Sequence, residues 1–251
     1  MEDILLYLSL KYNGQFDKIY KAIEEKEKAD MELLSEWKNK MKCSYTTILS
    51  EDYPKRLKAI ACPPFVLFYY GDLSLLNNKT IGVIGMRYPS EYGVDVTQRL
   101  VSDLVKEDYV IVSGLALGVD GIAHKTCIDF KGKTIAVLGC GIDYCYPSTN
   151  FDLYEIIKKD HLLVSEYPLG LSPQKWYFPA RNRLIAGFSD SLLVTEAKEK
   201  SGTMITVGFA LEQGKDVLAV PSDIYGNEGC NVLIQQGAKL VKNVKDIVEL
   251  L

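Results

Sequence analysis

From Thr80 onward, short apolar runs alternate with helical patterns. Thr80–Ile84, Tyr109–Val112, Thr134–Leu138, Leu162–Ser165, Ser191–Thr195 and Asp216–Val220 each read as a strand, and a turn and a helical stretch follow each. Runs that are apolar at consecutive positions bury both faces, and strands joined through helices pair in parallel. The chain is therefore expected to be an α/β protein with a doubly wound, mostly parallel sheet covered on both sides. In such sheets ligands bind at the carboxyl ends of the strands, near the point where strand order reverses, so the turns there are where function is sought.

The segment before Thr80 reads differently. Ile4 to Met41 is charge-rich and helical in period, is broken at Asn13-Gly14, and carries Ile19, Ala22 and Ile23 at helical spacing. We expect a small helical appendage over residues 1–45 and a main domain over residues 46–251. Glu24-Glu25-Lys26-Glu27-Lys28 reads as a solvated helix face. Turn signals at Asp52-Tyr53-Pro54 and Cys62-Pro63-Pro64 lead into a strand at Phe65–Tyr70, which ends at Gly71-Asp72. Near the other end, Asn231–Gln236 precedes a short strand at Lys239–Val241 and a last helix.

Composition excludes several classes. The 251 residues carry 29 Lys+Arg against 33 Asp+Glu, a net charge of −4, which argues against a wholly basic nucleic-acid binder. No apolar run approaches the ~18 residues that span a bilayer, so no membrane partner is expected and the cytoplasm is the expected location. The six cysteines are scattered without a CxxC pair, and with only two histidines no zinc or other metal site is expected. The thiols should be reduced and mostly buried.

Several turns at the strand ends are built for anions. Gly85-Met86-Arg87 runs through Ser90 to Gly93 and a helix, whose free N–H groups favour negative charge, and Arg87 would add a fork matched to phosphate. The plainer reading is an ordinary turn with Arg87 on the surface. Ser113-Gly114-Leu115-Ala116-Leu117-Gly118 opens the next helix, and Ser201-Gly202-Thr203 opens another after Thr195-Glu196. Gly85, Gly118, Ser201 and Gly202 are the candidate phosphate-cradling positions. None of these turns is GxGxxG, and the GxxxxGK[ST] pattern is absent, so neither a dinucleotide cofactor nor nucleotide hydrolysis has visible machinery. No cofactor and no catalytic residue is expected. Asp120 and His124 could share a helix face as base and orienter or as metal ligands, or serve as cap and packed residue; Glu196 could cap, orient or act as an acid.

The most unusual stretch is Leu169–Ser189, which has no acidic residue. It holds Lys175, Arg181 and Arg183 beside Trp176-Tyr177-Phe178 and Asn182. Cations interleaved with rings suit a single-stranded nucleic acid, whose phosphates they track and whose bases they stack. Equally, the rings could be buried and the arginines could bind carbonyls.

Taken together, these motifs resemble the DNA-processing protein A family (DprA, also called Smf). The resemblance rests on Gly85-Met86-Arg87 with Ser90 and Tyr92-Gly93, Ser113–Asp120 with His124, Phe178-Pro179, and Arg181–Gly187. It continues with Thr195–Thr206, Ala219-Val220-Pro221, and Leu233-Ile234 with Gly237-Ala238, in that order, and covers about Tyr53 to the C-terminus. It implies an extended Rossmann-like domain that binds single-stranded DNA as a homodimer. It also implies a non-enzymatic recombination mediator that protects incoming DNA and helps load the RecA recombinase in natural transformation. By the same resemblance Arg87, Lys175, Arg181 and Arg183, with Asn182 beside them, hold phosphates, Ser113 and Gly114 allow backbone approach, and Phe178 stacks on a base. Val232, Leu233 and Ile234 would lie in the dimer or recombinase contact. This chain departs from many relatives at Met86, Leu117 and Ser222, and stops at Leu251 where many continue into a winged-helix domain, so none is expected here. The competing class is a nucleotide or nucleoside-phosphate hydrolase of the lysine-decarboxylase-like type, whose PGGxGTxxE signature is replaced here by the sequence Thr195–Thr206.

Overall fold

Strands that are apolar on both faces need cover on both faces, and the computed structural model, which describes residues 1–249, supplies it. The chain opens with α1 (Glu2–Lys11), α2 (Phe16–Glu24), α3 (Met31–Lys40), β1 (Ser44–Thr47), α4 (Lys55–Lys58) and β2 (Val66–Gly71). The repeating part follows as β3 (Thr80–Ile84), α5 (Glu91–Lys106), β4 (Val110–Ser113), α6 (Val119–Asp129), β5 (Thr134–Val137), α7 (Phe151–Asp160) and β6 (Leu162–Ser165). It ends with α8 (Tyr177–Phe188), β7 (Ser191–Val194), α9 (Gly202–Glu212), β8 (Asp216–Ala219), α10 (Gly229–Gln235), β9 (Lys239–Leu240) and α11 (Lys245–Val248).

The strands form one nine-stranded sheet in the order β1-β2-β6-β5-β4-β3-β7-β8-β9. Neighbours from β6 to β9 run parallel, whereas β1 and β2 add an antiparallel margin on β6. The expected α/β, Rossmann-like, mostly parallel sheet is therefore present. After β3 the chain steps outward through β4, β5 and β6, then returns across the sheet to place β7 on the other side of β3. Strand order thus reverses between β3 and β7, and a crevice opens at their carboxyl ends.

Alternate residues of each strand feed opposite cores. Ile81, Val83 and Ile111 pack under Leu100, Val101 and Leu104 of α5 and Ala123 of α6. Val110, Val112, Ile135 and Val137 pack instead against Leu184 and Phe188 of α8 and Val207 and Ala210 of α9. Each Val, Leu, Ile or Phe among them contributes about 1.5–3 kcal/mol through burial. Burial also pushes the thiols of Cys43, Cys127, Cys140 and Cys230 up to about 12, and all six cysteines are free.

The N-terminal helices share a core with the sheet margin. Leu5, Leu6 and Leu8 of α1, Ile19 of α2 and Leu34 of α3 meet Val66 and Phe68 of β2, Leu163 of β6, and Tyr154 and Ile157 of α7. Sequence reading did not find β1, because Ser44-Tyr45-Thr46-Thr47 has no apolar alternation; it pairs Ser44 with Tyr69 through Thr47 with Val66 at the sheet edge.

An ion pair pins the crossing segment. Arg183 of α8, buried, forms a fork on Glu166 just after β6, with Nη1 to Oε1 at 2.8 Å and Nη2 to Oε2 at 2.6 Å. Its Nε and Nη2 also donate to Cys62 O at 3.1 and 3.0 Å, so one side chain joins α8, the end of β6 and the turn before β2. Breaking a buried pair leaves an uncompensated charge. Glu166→Ala is expected to lower stability by about 3–5 kcal/mol in urea unfolding, and Glu166→Leu combined with Arg183→Met to recover most of that loss.

Candidate functional site

Three turns meet at the carboxyl ends of β3, β4 and β7, and the backbone of Met86 joins them. Its N–H donates to Glu196 O at 3.0 Å, and its carbonyl accepts from Val119 N at 3.0 Å. Thr203 Oγ1 adds a bond to Gly85 O at 3.0 Å. Glu196, buried, accepts from Ser90 N at 2.8 Å through Oε2 and from Asn227 Nδ2 at 2.7 Å through Oε1. Gly118 must be glycine: it has φ +73°, and a Cβ there would run into the Met86 and Arg87 carbonyls.

Between these turns and α8 lies a cleft of about 680 Å³. Gly85, Arg87, Lys175, Phe178, Arg181, Asn182, Ser201 and Gly202 of the expected set all line it. Arg87 and Lys175 are exposed, so their charges are free for a ligand. Ser201 Oγ donates to Lys198 O at 2.8 Å instead of capping α9, which leaves the first amides of that helix uncapped beside the cleft. Phe178 rests on Gly139, where a Cβ would stand 2.8 Å from the ring. Lys198, Tyr88 and Tyr146 also line the cleft, and sequence reading had not placed them there. Nothing in their own spacing marks them; only the meeting of distant loops does.

Arg181 forms the floor. Its Nη1 donates to Gly114 O at 2.6 Å and to Val137 O, and its Nε donates to Asn182 Oδ1 at 3.1 Å. The guanidinium lies flat on Gly114, whose added Cβ would stand 2.6–2.7 Å from it. Asp120, also buried, accepts from Gly114 N at 3.2 Å and Ala116 N at 3.4 Å. Burial pushes its carboxyl above the usual range, against the pull of Arg181 and those amides.

Several expected roles change on this geometry, and Gly118, turned onto the Met86 and Arg87 carbonyls, is not among the residues that line the cleft. Arg183 does not reach the cleft, because its fork closes on Glu166. Ser113 and Gly114 are buried: Ser113 Oγ donates to Val83 O at 2.6 Å, and Arg181 covers Gly114, so neither offers a ligand open backbone. Leu233 packs into the main core, while Val232 and Ile234 are half-buried. Within Leu169–Ser189 the two arginines bind carbonyls or a carboxylate, while Lys175 and the Phe178 ring line the cleft.

His124 is packed, not presented. Its Nδ1 stands 2.6 Å from Thr134 Oγ1, whose proton goes to Ile111 O, and its Nε2 has no partner among the described residues. Burial lowers its pKa from 6.5 to about 3. The unfolded chain then binds a proton that the folded chain refuses between those values, so His124 supports folding fully above about pH 6.5 and loses that support as pH falls toward 3. Stability in urea is expected to drop over this window, and His124→Gln to flatten part of the drop; an unchanged slope would contradict the assignment.

No group of three or more His, Cys, Asp or Glu side chains is placed to hold a metal among the described residues, and no helix among them is long and apolar enough to cross a membrane.

Comparison with known proteins agrees with this architecture. The chain is 45% identical over 205 residues to the DNA processing protein DprA of Bacillus subtilis (strain 168), covering 80% of this chain and 69% of that protein. It superposes on the X-ray structure of DNA processing protein A from Streptococcus pneumoniae with a TM-score of 0.85 at 38% identity, over 99% of this chain and 93% of that one. DNA processing protein A from Helicobacter pylori, solved to describe its single-stranded DNA binding mode, matches with a TM-score of 0.76 at 32% identity, over 82% of this chain and 95% of that one. Residues 44–251 match the model of the DNA recombination-mediator protein A family, and the chain belongs to that family.

Proposed function

We propose that this protein binds single-stranded DNA in the cleft between β3, β7 and α8, as a recombination mediator and not as an enzyme. The observation that carries the reading is the composition of the cleft wall: Arg87, Lys175 and Lys198 are exposed around the Phe178 ring, and the one carboxylate of the lining, Asp120, is buried on backbone amides. Cations for phosphates beside a ring for a base are what a strand with unpaired bases requires. The kinship with the Helicobacter pylori protein and its single-stranded DNA binding mode supports the same reading. A hydrolase reading gains nothing here, because Glu196 directs both oxygens at structural donors and Asp120 Oδ2 is taken by the Gly114 and Ala116 amides.

In the cell, on this proposal, the protein acts in the cytoplasm during natural transformation, protects incoming DNA and helps load the RecA recombinase. A homodimer would use the face of α9 and α10. There Leu211 is 61% exposed, and half-buried Val232 and Ile234 lie on the adjoining helix. Apolar surface of this kind on a helix favours a partner over water.

Titration with a single strand and a duplex at several salt concentrations tests the binding. Single strands should bind tighter, and Arg87→Ala and Lys175→Ala should each reduce the log–log salt slope by about 0.7, the share of one phosphate. Equal affinity for duplex, or unchanged slopes in both variants, would sink the cleft assignment. For assembly, the wild type should show a dimeric mass at micromolar concentration and Leu211→Glu a monomeric one.

A further inference from the structure

The loop between β5 and α7 brings to the cleft a ring with no structural duty of its own. Tyr146 lines the cleft with 45% of its surface exposed, and its ring centroid is 5.4 Å from that of Phe178 at an interplanar angle of 41°. A base sandwiched between two rings needs two van der Waals separations, about 7 Å. These rings leave no such slot; tilted against each other, both border the cleft.

The loop that carries Tyr146 is tied on several sides. Gly141 N donates to Leu171 O at 2.8 Å, Gly170 N to Asp143 Oδ1 at 2.8 Å, and Tyr154 Oη to Ile142 O at 2.8 Å. Beyond the ring, Asn150 Nδ2 donates to Leu115 O at 3.0 Å and to Ala116 O at 3.2 Å, fastening the loop to the turn that opens α6. A loop backbone held this firmly loses little freedom when a ligand settles on the ring it carries.

We propose that Tyr146 is a second base-stacking residue, forming with Phe178 a composite wall that holds a nucleobase while Arg87 and Lys175 take the flanking phosphates. The proposal rests on the single-stranded DNA reading above and assigns the role to the ring of Tyr146, not its hydroxyl. It puts the base against the rings carried by α8 and the β5–α7 loop, and the flanking phosphates on Arg87 after β3 and Lys175 just before α8.

The test compares oligo(dT) with an abasic strand of the same length, measured by fluorescence anisotropy on wild type, Tyr146→Ala and Tyr146→Phe. Tyr146→Ala should weaken oligo(dT) binding about 5- to 150-fold, the range for one stacked base. The same variant should leave abasic-strand affinity and the salt slope unchanged, and Tyr146→Phe should match wild type on both strands. Equal losses on the two strands would make Tyr146 a loop-shaping residue and overturn the proposal, as would no loss on either strand or a loss in Tyr146→Phe equal to that in Tyr146→Ala. A wild type with no preference for the single strand over duplex would overturn the underlying reading first, and the inference with it.

Discussion

The cleft depends on one peptide unit. Met86 gives its N–H to the turn after β7 and its carbonyl to the start of α6, so three turns that are distant in sequence are fixed relative to one another. The strand order makes this possible, because reversal between β3 and β7 leaves their carboxyl ends side by side with no helix between them. Gly118 admits the close approach and Glu196 fastens the outer rim through Ser90 and Asn227. The side chain of Met86 itself takes no part in these two bonds, which run through its backbone alone.

The acid-free segment shows how one stretch serves two purposes. Arg183 and Arg181 look alike in sequence, two positions apart on α8, yet a helix turns residues at that spacing away from each other. One therefore faces Glu166 and the turn at Cys62, and the other faces Gly114 and the cleft floor. Lys175 lies before the helix begins and stays in solvent. The net charge of −4 therefore says little about the cleft, where the free cations outnumber an acid that is already occupied.

The parallel sheet was legible because its strands are continuous apolar runs, and strands such as Leu162–Ser165 were read to the residue. β1 was not legible, since its pairing comes from the edge of β2 and not from its own composition. Arg87, Lys175 and Phe178, singled out in the sequence by a turn motif, an acid-free stretch and the resemblance, all line the cleft. Arg183 was misplaced because Glu166, its partner, lies 17 positions away with nothing local to announce it. Tyr146 and Lys198 escaped for the matching reason, that convergence of loops leaves no trace in linear spacing.

The helices α1 to α3 lie outside the matched span of 44–251, yet they seal the antiparallel margin of the sheet with Leu5, Leu6, Leu8, Ile19 and Leu34. What the margin asks of them is apolar shape over Val66 and Phe68, a demand that many unrelated helical sequences satisfy. The N-terminal cover is therefore exchangeable in a way that the cleft is not. Changes on the outer face of these helices would leave undisturbed the turns joined at Met86, which make their bonds elsewhere in the fold.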